Sequence, residues 1–149
     1  MALALSAIGF KQPLRTDLFS VVAADYAQEV FIEGCKGKEG NVIYKNGLPE
    51  QQKNKSSQLR RFYDELVMWY ERVQYERTPA ERQAKYQEVA PFIQMLMAKA
   101  AYANGRKHID NTFEQMFSHV IRQISDADSL RHAKLFMEAF MGFYKAQEK

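Results

Sequence analysis

The sequence predicts an all-α fold: a compact single-domain bundle of five or six helices, with a long loop between the first and second. Three observations carry this prediction. From residue 18 onward apolar residues recur at intervals of three and four, most such runs are preceded by a helix-start residue, and period-two alternation is nearly absent. A chain of 149 residues with 46% apolar and 13% aromatic content is long enough to bury one proper core. Residues 1–149 are therefore expected to form one helical domain, with no internal repeat or low-complexity tract.

The opening "MALALSAIGF" is apolar but has no basic leader, and Lys11 ends it too early for a membrane span. Residues 1–15 are read as an arm that packs on this domain or on a neighbour. Thr16 or Asp17 opens the first helix, which runs to about Glu33 with Leu18, Val21, Val22, Tyr26 and Val30 on its apolar side. Residues 34–55 form a long basic loop containing four glycines and one proline, in which "NVIY" is a brief extended piece. Loops of this length are uncommon unless functional or mobile. Cys35 is the only cysteine, which excludes an intramolecular disulfide and a multi-cysteine metal site and fits a reducing cytoplasm. It reads as an inert small residue at a helix end.

Ser56 or Ser57 caps the second helix, whose stripe of Leu59, Phe62, Tyr63, Leu66, Tyr70 and Val73 is a core face. At 100° per residue Arg61 points away from that stripe, Arg60 lies on its flank, Met68 lies opposite and Trp69 at its edge. Thr78, Pro79 and Glu81 are a strong start signal for a third helix. Pro91 should kink or restart it. "PFIQMLMAKAAYAN" is apolar almost all round, which predicts a central position in the bundle, with Gly105 as its stop. Asp110 or Asn111 opens a helix that turns Phe113, Met116, Phe117, Val120, Ile121 and Ile124 inward. Ser125 or Asp126 opens the last, with Leu130, Ala133, Phe136, Met137, Phe140, Phe143 and Tyr144 as its stripe.

A search for catalytic chemistry finds none. His108, His119 and His132 stand eleven and thirteen positions apart, which is no metal-ligand spacing, and each reads as a buried or capping histidine. "DADSLR" opens like a calcium loop but lacks the glycine at the sixth position and the glutamate at the twelfth, so it is a helix cap. No glycine-rich phosphate loop follows a strand, and no serine sits in a nucleophile elbow. The Met and aromatic stripes are core rather than a cofactor pocket. Neither catalytic residues, a cofactor nor a metal is expected.

The remaining feature is charge. The net charge of +3 is uneven: Gly34 to Phe62 alone sums to +5, and Lys53 to Arg61 holds four basic residues and no acid. A helix start favours acids, because its unpaired N–H groups carry partial positive charge. Basic residues there suggest a negative group from outside. Lys53 and Lys55 on a mobile lead-in, Gln58 as an uncharged donor, Arg60 and Arg61 as planar forks and the free N–H groups converge on phosphate. "NGRKH", with Arg106 and Lys107, is a second basic turn, and Arg131 with Lys134 a third. No exposed aromatic stands among the first cluster, so backbone contact without base reading is expected.

"SSQLRRFYDEL" resembles the Ser/Thr-Ser-Gln-Ile/Leu-Arg-Lys/Arg-Phe signature of the small subunit of type III-A CRISPR effector complexes, the Csm-type RNA-guided machines. Ser56, Ser57, Gln58, Leu59, Arg60, Arg61 and Phe62 fall on it in order. "AYANGR", Ala101 to Arg106, is similar to that family's Tyr-Ala-x-x-Arg turn, and "LFMEAFMGFYK", Leu135 to Lys145, to its C-terminal Phe-x-Glu-Ala-x-x-Ala-Tyr helix. Gly142 and Phe143 depart from the last pattern, where the family tends to have Ala and Tyr. The resemblance spans residues 56–145, the helical core.

What it implies is a non-catalytic RNA-binding subunit of a ribonucleoprotein that serves antiviral defence in the cytoplasm. Its partners would be guide RNA, target RNA and the other effector subunits, with no membrane, and with copies arranged as a homodimer or along a filament. Met68 and Trp69 are the candidate protein interface, with the apolar arm. From the residues alone, a helical adaptor that binds only protein stays open, and its binding would be nearly indifferent to salt. An all-helical hydrolase would need a metal or acid pair that the sequence does not assemble.

Overall fold

A computed structural model of the chain describes residues 3–148; Met1 and Ala2 of the arm, and Lys149, lie outside the described residues. In it the three-and-four apolar spacing becomes six α-helices: α1 (Ala23–Gly34), α2 (Ser56–Gln74), α3 (Pro79–Gln94), α4 (Leu96–Gly105), α5 (Asn111–Arg122) and α6 (Ala127–Gln147). A 3-10 turn at Leu5–Ala7 and a π-helical turn at Leu18–Val22 precede them. The only sheet among the described residues is β1 (Tyr44–Lys45) paired antiparallel with β2 (Leu48–Pro49). The predicted all-α class is the one observed.

Three helix starts are built by the residues that signal them. Thr78 accepts the Glu81 N–H at 3.1 Å and Asp110 accepts the Phe113 N–H at 3.0 Å. Asp126 accepts the Ser129 N–H at 2.7 Å while Ser129 Oγ accepts the Asp126 N–H at 3.0 Å, a reciprocal box. Helix α6 then lies between α1 and α2, with α4 on α5 and α3 on α2. A column of aromatic rings crosses this arrangement. It runs from Phe62 to Phe113 (centroids 5.8 Å apart), Phe140 (6.1 Å), Tyr144 (5.5 Å) and Phe31 (6.1 Å), joining α2, α5, α6 and α1.

Several expectations are corrected. Neither Thr16 nor Asp17 caps a helix by its side chain; the Asp17 carboxylate pairs with Arg15 instead. The Val22 N–H bonds the Asp17 carbonyl five residues back, at 3.1 Å, and in this wider winding Val21 is left 52% exposed. Pro91 does not end its helix. The chain stays helical for one more turn and breaks at Met95, between α3 and α4. Helix α4 is peripheral, not central: Leu96 and Ala100 are buried, but Met95 and Tyr102, like Phe92 at the end of α3, are exposed. Its apolar appearance comes largely from alanines, which need no burial. Phe143 is also exposed on α6.

The arm packs on its own domain: Ile8 and Phe10 are buried, the Ile8 carbonyl meets His119 Nε2 at 2.7 Å, and Phe10 lies against Phe136. Those two residues are core and are not available to a partner. The long loop is more ordered than its length suggested. Asn46 and Gly47 take positive φ (53° and 79°) between the paired Lys45 and Leu48, a two-residue hairpin turn. At its ends the loop is bonded to α1, since the Gly34 carbonyl accepts the N–H groups of Gln52 and Lys53 at 2.8 and 2.9 Å.

Gly34 is where this closure is tightest, since an added Cβ would lie 2.6 Å from the Lys53 carbonyl oxygen and 3.0 Å from Asn54 Cβ. Gly34→Ala is expected to cost about 1–3 kcal/mol through overpacking against backbone, despite alanine's better helix propensity. A lowered urea midpoint with unchanged slope is the expected measurement. An unchanged midpoint would mean that the 53–54 segment gives way freely.

Candidate nucleic-acid interface

Asn54 is what brings the basic segments together. It is fully buried and takes a left-handed φ of 61°, a conformation that asparagine adopts more readily than most residues. Its Nδ2 donates to the Val30 carbonyl at 3.1 Å and to Asp110 Oδ1 at 2.9 Å, and its Oδ1 accepts the Asp110 N–H at 2.9 Å. Its own N–H donates to the His108 carbonyl at 3.0 Å. Its carbonyl accepts from Gln51 Nε2 at 2.9 Å and from the Tyr144 hydroxyl. Burial pushes the Tyr144 phenol far above its ordinary pKa, so it remains a donor. The lead-in to α2 is thus pinned to the α4–α5 turn rather than mobile, and the first two basic stretches lie side by side.

The start of α2 answers the charge puzzle in part. Lys55 is the N-cap residue, in extended backbone, and its own side chain makes no capping bond, so neither Ser56 nor Ser57 acts as predicted. The Ser56 N–H instead donates to Glu148 Oε2 at 3.1 Å. A carboxylate is favoured there by the helix dipole and the unpaired donor. At least one negative group therefore comes from the chain's own C-terminal end, and the Ser56 N–H is not free for a ligand.

Between α2 and α4 lies a groove of about 590 Å³. Gln58, Arg61 and Glu65 form the α2 wall, successive exposed or half-buried positions on one helix face; Met95, Lys99, Tyr102 and Arg106 form the opposite wall, and Phe62 contributes to its apolar lining. Lys99 Nζ bridges to Glu65 at 2.9 and 2.7 Å, tying the two walls and neutralising that charge. Arg61 reaches Gln58 Oε1 at 3.5 Å, and Arg106 Nη1 donates to the Tyr102 hydroxyl at 3.1 Å. Neither guanidinium meets a carboxylate among the described ion pairs. Two planar cationic forks on facing walls can hold an anion while apolar surface covers its neighbour.

The structure gathers Gln58, Arg61 and Arg106 into this groove and leaves the other predicted residues outside it. Lys55 is exposed at the helix start, and Lys53 is half-buried with its N–H on Gly34. Arg60 is exposed and pairs with Asp64 at 3.6 Å. Lys107 follows Arg106 in a left-handed turn, φ 66°. Arg131 lies beside Gln74, sixteen residues along α2 from Gln58 and so about 24 Å away, and does not join the others. Lys134 pairs with Glu138. Met68 is half-buried, not exposed, because α3 returns along that side of α2 and Lys85 flanks it. Trp69 is half-buried too, stacked on Phe92 (5.5 Å, 13° between planes) with the Arg72 guanidinium 5.0 Å from its centroid.

Among the groove residues outside the predicted site are Lys99 and Tyr102. Tyr102 stands in the "AYANGR" stretch, four positions before Arg106, a spacing that puts both on one helix face; Lys99 has no comparable signal. Among the described residues no group of His, Cys, Asp and Glu could hold a metal ion, and no helix is long and apolar enough to cross a membrane. A family model described as Csm2 Type III-A matches residues 45–149, taking in part of the loop hairpin as well as all of α2 to α6. No curated protein and no solved structure matches the chain.

Proposed function

The chain belongs to the Csm2 Type III-A family, subunits of type III-A CRISPR effector complexes, and from that premise we propose that it is a non-catalytic structural subunit whose α2–α4 groove holds the backbone of guide or target RNA. The observation that carries this reading is the convergence of Arg61 and Arg106 from separate helices onto facing walls, with Gln58 beside them. Guanidinium forks match phosphate oxygens, and contacts of this kind position RNA without selecting its sequence. Lys55 and Lys107, near the ends of the same helices, add charge along an extended backbone. Assembly with the other effector subunits in the cytoplasm completes the reading, with other contacts lining up the copies.

Arg61→Ala with Arg106→Ala is expected to weaken binding to all RNA sequences alike. Each phosphate contact to a single strand adds roughly −0.7 to the slope of log K against log salt, so the double variant should flatten it by about 1 to 1.5 units. Arg60→Ala, at a residue already paired with Asp64, should change less. Filter binding or anisotropy across a salt series measures both. A folded double variant with wild-type affinity and slope would remove RNA from the groove, and binding indifferent to salt would favour the protein-only adaptor.

A further inference from the structure

The ring of Tyr102 has no role in phosphate binding, yet it is 66% exposed inside the groove. Tyrosine usually lays its ring on other apolar groups and exposes only the hydroxyl. Here the hydroxyl is engaged: Arg106 Nη1 donates to it at 3.1 Å, with the guanidinium carbon 5.8 Å from the ring centroid. The ring is thus fixed from its polar end while most of its surface stays bare. Met95, Ala98 and Phe62 line the same groove with apolar surface, and its volume falls within the range of small-ligand sites, about 300–1,000 Å³.

We propose that Tyr102 is a stacking platform for one unpaired nucleobase, whose flanking phosphates lie on Arg61 and Arg106. An aromatic ring beside a cationic track is the combination that single-stranded RNA uses, since every base has a π-face and the contact tolerates sequence. A base within a duplex has both faces covered by its neighbours and cannot use the ring, so the ligand is an unpaired nucleotide. The unpaired charges at the rim are both guanidinium groups, and the one carboxylate, Glu65, is held by Lys99. That balance favours a nucleotide over an apolar protein side chain. Arg106 acts twice, toward phosphate and as the group that holds the ring ready.

The inference rests on the RNA reading of the groove, and its test separates the two. Wild type, Tyr102→Leu and Tyr102→Phe are compared on an oligouridylate and on an abasic oligoribonucleotide of equal length, both as isolated chain and in the assembled effector complex. Tyr102→Leu should bind oligouridylate about ten-fold or more weakly, the loss expected when one base–aromatic stack is removed. Its salt slope should stay unchanged because no charge is removed. Tyr102→Phe should retain most of the affinity, and all three should bind the abasic strand alike. Equal oligouridylate binding by Tyr102→Leu overturns the platform even where the Arg61 and Arg106 variants show phosphate contact. Loss of the arginine effects overturns the RNA reading itself. Normal RNA binding with failed recruitment of another subunit would assign the ring to a protein partner, which also overturns the proposal.

Discussion

Asn54→Ala is expected to destabilise the protein by about 3–5 kcal/mol, a large part of the roughly 5–15 kcal/mol typical of a domain. The substitution leaves the Val30 carbonyl and the Asp110 carboxylate without the amide donor, and the Asp110 N–H without its acceptor. The unpaired Asp110 N–H costs about 1–3 kcal/mol, and the bond lost by the carboxylate, which keeps the Phe113 N–H, about 1.5–3 kcal/mol. Alanine at φ 61° adds about 1–2 kcal/mol of backbone strain. Asn54→Gly separates the two effects, because glycine removes the strain and not the lost bonds, so it should recover only that smaller part. Urea unfolding of all three proteins decides it. If Asn54→Ala unfolds at the wild-type midpoint, the buried amide is not what holds the lead-in.

Phe113→Ala should cost a similar amount, about 3–5 kcal/mol, the usual range for deleting a buried aromatic ring. Phe113 is fully buried and touches Phe62, Phe117 and Phe140 at centroid distances of 5.8, 5.6 and 6.1 Å, so the cavity would open where α2, α5 and α6 meet. Phe62 also lines the groove and loses a face of its support. The thermal midpoint is expected to fall by about 10 °C, at roughly 2–4 °C per kcal/mol for a chain of this size. On the proposed RNA reading of the groove, affinity should fall as well, through the groove lining rather than through charge, leaving the salt slope near that of wild type. A variant with an intact midpoint would show that the neighbouring rings collapse into the space.

The helices were legible because their signals are local. Thr78, Asp110 and Asp126 cap where their spacing says, and every residue of the stripe predicted for α5 is buried, with Ser118 in addition. What escaped was decided by distant residues. Ser56 looked like a cap, but it is the first residue of the helix, after Lys55 in the cap position, and its N–H is met by the distant Glu148 carboxylate. Met68 looked exposed on its own helix, and only the return of α3 covers it. The hairpin could have been read from Asn46–Gly47, a pair that favours a two-residue turn; glycine content alone suggested an irregular loop. Of the candidate site, Arg61 and Arg106 were visible as charge. Their grouping was not, because it depends on Asn54 bonding across to the α4–α5 turn.

That bonding has a consequence for how far the basic stretch can be treated as a unit. In one dimension, Lys53 to Arg61 resembles a short linear motif that could be transplanted. In the folded chain its placement is set by bonds that span 24, 56 and 90 positions, to Val30, Asp110 and Tyr144. A peptide of this length is too short to hold helix in water, and it would have to close every one of those loops at its own entropic expense. The charges alone are portable; their geometry is a property of the completed topology.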